Sequence, residues 1–160
     1  MKLAIAAVGR LKDGPERELL DRYMKRLAQT GRGLGLAPAE VLETPEGRAE
    51  TAALRQSDEA ARLLKITASY DVLIALDETG RTMTSRAFAA LIAKYRDGGT
   101  QGLALVIGGA DGHGEAVITK AAVKLSLGAM TLPHGLARIV LAEQLYRATT
   151  ILAGHPYHRD

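Results

Sequence analysis

The closing stretch VKLSLGAMTLPHGLARIVLAEQLYRATTILAGHPYHRD, residues 123–160, governs how the rest of the chain is read. It divides into a short apolar strand at 123–126, a loop of small residues at 127–132, a long helix opened by Pro133, and a tail holding His155, Tyr157, His158 and Arg159. Gly128 and Ala129 leave space around the main chain, so bare N–H and C=O groups of this loop can approach a ligand closely. A base edge can be read in that way without charged side chains.

The helix behind the loop, about 135–152, carries Leu136, Ile139, Val140, Leu141, Leu145, Tyr146, Ala148, Ile151 and Leu152. That is more apolar surface than one stripe requires, so one face is expected against its own sheet and another against a second copy of the chain, a homodimer. Arg138, Glu143 and Arg147 interrupt the helix and exclude a membrane span. Glu143 precedes Arg147 by four residues, the favourable order for an ion pair worth roughly a few tenths of a kcal/mol on an exposed helix. Next to a basic tail the same pair can also orient that tail. Arg138, Glu143, Arg147 and His155 are the candidate substrate contacts.

Outward from this block, the chain alternates. Residues 3–8 form a continuous apolar run closed by Gly9, and residues 72–76 and 103–107 are similar runs, the pattern of strands covered on both faces. A helix opened by Gly14 and Pro15 presents Leu19, Leu20, Tyr23, Met24 and Leu27 on one side and Arg17, Asp21, Arg22, Lys25 and Arg26 on the other. Three glycines and two prolines frame an edge strand expected at about 39–43. A second helix is expected at 48–65 with Ala53, Leu54, Ala60, Ala61 and Leu64 inward. A third, capped by Ser85, carries Phe88, Leu91, Ile92 and Tyr95. A short helix reaches about residue 122. Strands alternating with helices give an α/β fold with a mainly parallel sheet, one domain over 1–160, without repeats or linkers.

Composition sets limits. The chain has 160 residues, 47% hydrophobic and 24% charged, with a formal charge of +3, which permits nucleic-acid contact without proving it. It contains no cysteine, so neither a disulfide framework nor a thiolate nucleophile is available. The first apolar run is too short for a signal-peptide core, and a cytoplasmic protein is expected.

Three loops follow buried strands: after Leu76, after Ile107 and after Ser126. If those strands are neighbours, the loops converge on one crevice. Gly108, Gly109, Gly112 and Gly114 fit neither a dinucleotide fingerprint nor a P-loop, and the segment reads equally as a tight turn needing positive φ. His113, His134, His155 and His158 lack metal-ligand spacing, so no metal is expected. The tail gathers two imidazoles, a phenol and a guanidinium within five residues, a set suited to gripping an unpaired nucleotide, although a solvated end is the ordinary alternative. No G-x-S-x-G occurs.

AVGRLKDGPE at the start, LDETG, VIGGADGHG and the block LSLGAMTLPHGLARIVLAEQLYRATTILAGHPYHR together resemble, from end to end, the RlmH family of SPOUT-class methyltransferases. Resemblance is weaker over 29–42, and Gly128 stands where the family often has serine, a change expected to loosen a loop hydrogen bond. What the resemblance implies is a single-domain α/β knot with a C-terminal trefoil knot over about 72–155. It implies S-adenosylmethionine as cofactor, bound at Leu76, Gly108, Leu127, Gly128, Ala129, Met130, Thr131 and Leu132. It further implies a homodimer whose partner completes each site, and methylation of N3 of a pseudouridine in a hairpin loop of large-subunit ribosomal RNA, on the assembled ribosome. His158, Arg159 and Tyr157 then become the catalytic candidates. A non-catalytic ribosome-binding or assembly factor with the same fold is the alternative.

Overall fold

The alternation of apolar runs and amphipathic segments produces one five-stranded sheet with helices on both faces, seen in a computed structural model that describes residues 1–157. The catalytic candidates His158 and Arg159 lie outside the described residues. In chain order the elements are β1 Lys2–Val8, α1 Pro15–Arg32, β2 Ala39–Thr44, α2 Ala52–Ile66, β3 Val72–Thr82, α3 Ser85–Asp97, β4 Gly102–Ile107, α4 Glu115–Lys120, β5 Val123–Ser126 and α5 His134–Leu152. The strands lie in the order β2-β1-β4-β3-β5, and every neighbouring pair is parallel.

Side chains alternate across a strand, and this sheet uses the alternation to sort by size. Leu3 and Ile5 of β1, Ile74 of β3 and Leu103 and Leu105 of β4 pack against buried residues of α1, α3 and α5. The opposite face offers Ala4, Ala6, Ala75 and Ala104 to Ala60 and Leu63 of α2 and Val117 of α4. The face with larger side chains takes three helices and the shallower face takes two. Cutting a fully buried leucine such as Leu105 to alanine is worth about 2–5 kcal/mol in a core of this kind.

Several sequence expectations shift in detail. The edge strand is present, paired to β1 from Leu3↔Ala39 to Val8↔Thr44. In α2 the helix starts at Ala52, after Thr51, whose side chain accepts the Leu54 N–H at 3.3 Å. Its buried face is Glu59, Ala60 and Leu63, while Ala53, Leu54 and Ala61 face solvent. The helix is rotated from the expected register because Glu59 points inward and accepts the Gly47 N–H at 2.7 Å. At α3 the cap is Thr84 rather than Ser85: its side chain accepts the Ala87 N–H at 3.1 Å. Ser85 is thereby free to donate to Gln144 of α5 at 2.7 Å.

Helices α1 and α5 run side by side in the same sense. A Cβ on Gly135, at the start of α5, would meet the Glu16 carboxylate at 2.5 Å, and near the far end the Thr30 and Thr149 hydroxyls are 2.6 Å apart.

Candidate active site

Because β3 lies between β4 and β5, the carboxyl ends of three strands stand next to one another: Leu76 pairs with Ile107 on one side and with Leu125 on the other. The segments that follow enclose a crevice of about 510 Å³, within the usual range for small-molecule sites.

The first wall is a bulge. Both Leu76 and Arg81 pair with Leu125, so residues 77–80 loop out of the ladder before β3 resumes. Gly80 permits the return, since a Cβ there would stand 2.7–2.8 Å from the Leu125 backbone. Within the bulge Asp77 accepts the N–H of Thr79 at 2.8 Å and its hydroxyl at 2.5 Å. The Thr79 hydroxyl holds the Asp77 carboxyl below its ordinary range against the opposing effect of burial. It stays ionised at neutral pH.

The second wall is the glycine-rich segment. Gly112 has φ +85° and donates to the Gly109 carbonyl at 3.0 Å, closing a tight turn over Gly108. Helix α2 clamps the turn from behind: Arg55 donates to both Asp111 oxygens at 2.7 and 3.2 Å, and Gln56 donates to the Asp111 carbonyl at 2.5 Å. His113 spans the two walls, its Nε2 lying 2.9 Å from the Leu76 carbonyl. As a neutral ring it donates from Nε2, leaving Nδ1 buried with no hydrogen-bond partner among the described residues.

The third wall is the loop from Ser126 to Leu132. Ser126 Oγ accepts the Gly128 N–H at 3.2 Å, and Gly128 takes φ +127°, a conformation that L side chains rarely adopt. Met130 is 85% exposed at the rim. Leu76, Gly108, Leu127, Gly128, Ala129, Met130, Thr131 and Leu132, the eight cofactor candidates, all border this one crevice.

Among the described residues, the remaining candidates Arg138, Glu143, Arg147, His155 and Tyr157 do not line the crevice. Arg138 was expected to touch substrate, and the structure corrects this: its side chain is 2% exposed. It donates to Glu43 Oε1 at 2.5 Å and to the carbonyls of Val8 and Gly9 at 3.3 and 3.2 Å. Glu43 also takes Arg17 at 2.9 Å and the Leu11 N–H at 3.0 Å. Burial alone raises the Glu43 carboxyl, but the Leu11 N–H and the two guanidinium groups outweigh it and hold the carboxyl below its ordinary range. This buried group ties α1, β1, β2 and α5 together just behind the crevice.

Glu143 and Arg147 form the expected pair at 2.7–3.0 Å, and the Tyr157 hydroxyl joins them, donating to Glu143 at 3.3 Å. The Tyr157 ring rests 4.7 Å from that of Tyr146, with Arg147 5.3 Å from its centroid. Burial and the Glu143 charge push the Tyr157 phenol up to about 12. Exposed His155 donates its backbone N–H to the Thr150 carbonyl and accepts the Tyr157 N–H on Nδ1 at 3.1 Å. Tyr157 is thus seated on α5 as an anchor for the tail. Sequence reasoning missed the Glu43–Arg138 group and the placement of His113, for which spacing carries no signal.

A parallel α/β sheet whose last three strand ends close one main-chain-lined crevice narrows the family, and comparison decides it. The family model described as predicted SPOUT methyltransferase matches residues 1–158. The chain belongs to the SPOUT methyltransferases. Among SPOUT relatives, a protein of Brucella anthropi named ribosomal RNA large subunit methyltransferase H is 52% identical over 160 residues, covering 100% of both chains. One of the same name from Rhizobium etli is 53% identical over 159 residues, covering 99% of each. The fold is shared with a probable methylase family protein from Haemophilus influenzae Rd KW20, at TM-score 0.52 and 14% identity over 99% of this chain and 70% of that one. A probable methyltransferase from Bordetella pertussis Tohama I gives TM-score 0.50 and 15% identity over 92% and 95%. Among the described residues no three His, Asp or Glu side chains converge as metal ligands, and no helix is long and apolar enough to cross a membrane.

His113 gives this SPOUT crevice a pH signature. Burial lowers its pKa from 6.5, and the Leu76 carbonyl and the Asp77 charge only partly oppose the shift. The unfolded chain therefore takes up the proton more readily than the folded one. Stability is expected to hold above about pH 6.5 and to fall as the pH drops through and below that value. Urea unfolding from pH 7.5 to 5 should show a shallower loss in His113→Gln than in the parent; identical slopes would contradict the assignment.

Proposed function

We propose that this SPOUT protein transfers a methyl group from S-adenosylmethionine to N3 of a pseudouridine in a hairpin loop of large-subunit ribosomal RNA, on the assembled ribosome in the cytoplasm. The observation that carries the reading is the crevice, with main-chain walls from three strand ends, in a chain 52–53% identical over its length to relatives named for ribosomal RNA methylation. The crevice fits the donor: its volume suits a nucleoside-sized ligand, and Gly128, where an added Cβ would meet nothing within 4 Å, keeps the backbone bare where an adenine edge would be read. Leu76, Gly108 and the six residues from Leu127 to Leu132 would hold it.

S-adenosylmethionine brings a methyl group already activated by its sulfonium, so the protein's work is alignment and proton removal. When bound, the donor would supply the methyl group, the electrons of the broken S–C bond staying on the departing thioether, and His158, or a water it orders, would take the N3 proton. Arg159 binds phosphate or steadies charge on a base carbonyl. Tyr157 fixes the point from which these residues leave α5.

The functional unit in this reading is a homodimer. Leu136 and Val140, one turn apart on α5, are 43% and 36% exposed, and an apolar hollow of about 360 Å³ between α3, α5 and the loop at 126–128 lies beside them. A second copy covering this stripe would bring its own tail to the crevice. Tyr146, on which the tail is anchored, is nine residues beyond the crevice-lining Ala137, about 13 Å along the helix axis. That placement favours service to the partner's crevice. The trefoil knot over about 72–155 belongs to the same proposal and is supported by β5 returning to the far side of β3 after β4. The test incubates unmethylated ribosomes and tritiated S-adenosylmethionine with the purified protein and maps the label. Label on a large-subunit pseudouridine is expected; tight ribosome binding without transfer would favour the assembly-factor alternative.

A further inference from the structure

Charge on this chain is segregated. Residues 22–32, RYMKRLAQTGR, hold four cations and no acid, against a formal charge of +3 for the whole protein, so the rest of the chain is in sum slightly acidic. Arg22, Lys25, Arg26 and Arg32 are all exposed on the second half of α1. Among the described residues none of the four forms an ion pair, whereas Arg17, Arg55, Arg62, Arg96, Arg138 and Arg147 are paired with acids. Cations at a helix end interact favourably with its dipole, which explains Arg32 in the last turn. That effect fades beyond one turn and does not reach Arg22 or Lys25.

The position of this stripe gives it a meaning. Tyr23 lies 6.3 Å from Tyr146, Arg26 lies 5.9 Å from the Tyr146 ring centroid, and Tyr157 packs on the same Tyr146. The stripe therefore flanks the anchor of the tail, at the opposite end of α5 from the loop that borders this protomer's own crevice. Resting on the function proposed above, we infer that the exposed face of α1 at Arg22, Lys25 and Arg32 is a docking surface for the phosphate backbone of the RNA, serving the crevice of the partner subunit to which the adjacent tail is delivered. Backbone contacts of this kind set register and affinity without reading sequence.

The test uses the triple variant R22Q/K25Q/R32Q, which leaves Arg26 on Tyr146. KM for unmethylated ribosomes should rise at least about tenfold, and the salt dependence of log KM should fall by about 2 if three single-strand phosphate contacts are lost. The dissociation constant for S-adenosylmethionine and the melting temperature should stay at parent values. An unchanged KM, or a lowered melting temperature with unchanged KM as expected of a purely structural charge–dipole role, overturns the inference. Mixed dimers then assign the subunit: one chain carries the triple variant and the other carries Ala129→Trp, an exposed loop position where bulk blocks the crevice. Docking to the partner's site leaves one site with both an open crevice and an intact stripe, so half the parent rate at parent KM is expected. Half the rate at raised KM would mean that the stripe serves its own crevice. Absence of transfer by the unaltered protein, or a monomer that methylates, would instead bring down the parent reading.

Discussion

Removing residues 157–160 is expected to lower methyl transfer by about three orders of magnitude while changing the affinity for S-adenosylmethionine less than about threefold. The deleted segment holds the proposed proton acceptor and cation, and general-base and electrostatic contributions of this type are each worth about 10²–10⁴ in rate. The described crevice walls, in contrast, lie at 76–79, 107–113 and 126–132 and do not include Tyr157. Single-turnover rates on ribosomes, paired with calorimetric titration of the cofactor, separate the two effects. Parallel loss of both would show that the tail builds the cofactor site. Within this region Tyr157→Phe should be mild, because the ring keeps its place on Tyr146 and only the hydroxyl contact to Glu143 is lost. Tyr157→Ala should approach the deletion.

Glu43→Ala is expected to be the most destabilising change outside the apolar core, costing about 3–5 kcal/mol in urea unfolding. Its removal strands the Arg138 guanidinium, which is 2% exposed and pairs with Glu43 at 2.5 Å. The carbonyls of Val8 and Gly9 remain as partners, but neither carries the opposing charge. Burial already disfavours the charged form of this arginine, and Glu43 is the group that opposes that effect. Combining Glu43→Ala with Arg138→Met should recover most of the loss, since an apolar side chain of similar length needs no counterion. A double variant as unstable as the single one would show that Glu43 acts through Arg17 and Leu11 instead.

The same arginine shows where the sequence stops being informative. As a charge on an otherwise apolar helix Arg138 reads as a surface contact, because nothing in local spacing reveals a carboxylate 95 residues away on an edge strand. The buried strands were legible because LAIAAV and LALVI are runs that only a doubly covered sheet accommodates, and their alternation of large and small side chains matches the two unequal helix layers. The family block at the end of the chain made the crevice loops legible as well. Local hydrogen-bond choices were not: Thr84 competes with Ser85 for the same cap, and one inward glutamate, Glu59, turns α2 away from its expected face. The bulge at 77–80 looks like an ordinary turn in sequence. Only the pairing of both Leu76 and Arg81 with Leu125 shows that the strand resumes after it.

His113 follows the same logic. Its ring reads as one of four scattered histidines, yet it links two walls of the crevice through the Leu76 carbonyl, a contact set by the parallel registry of β3 and β4.

Backbone amide NMR of the isotopically labelled protein, titrated with S-adenosylmethionine, tests most directly whether main-chain groups at three strand ends hold the donor. Saturable shifts concentrated at residues 76–80, 108–113 and 127–132 are the predicted result. Shifts centred on any other part of the sheet, or none at millimolar cofactor, would contradict it.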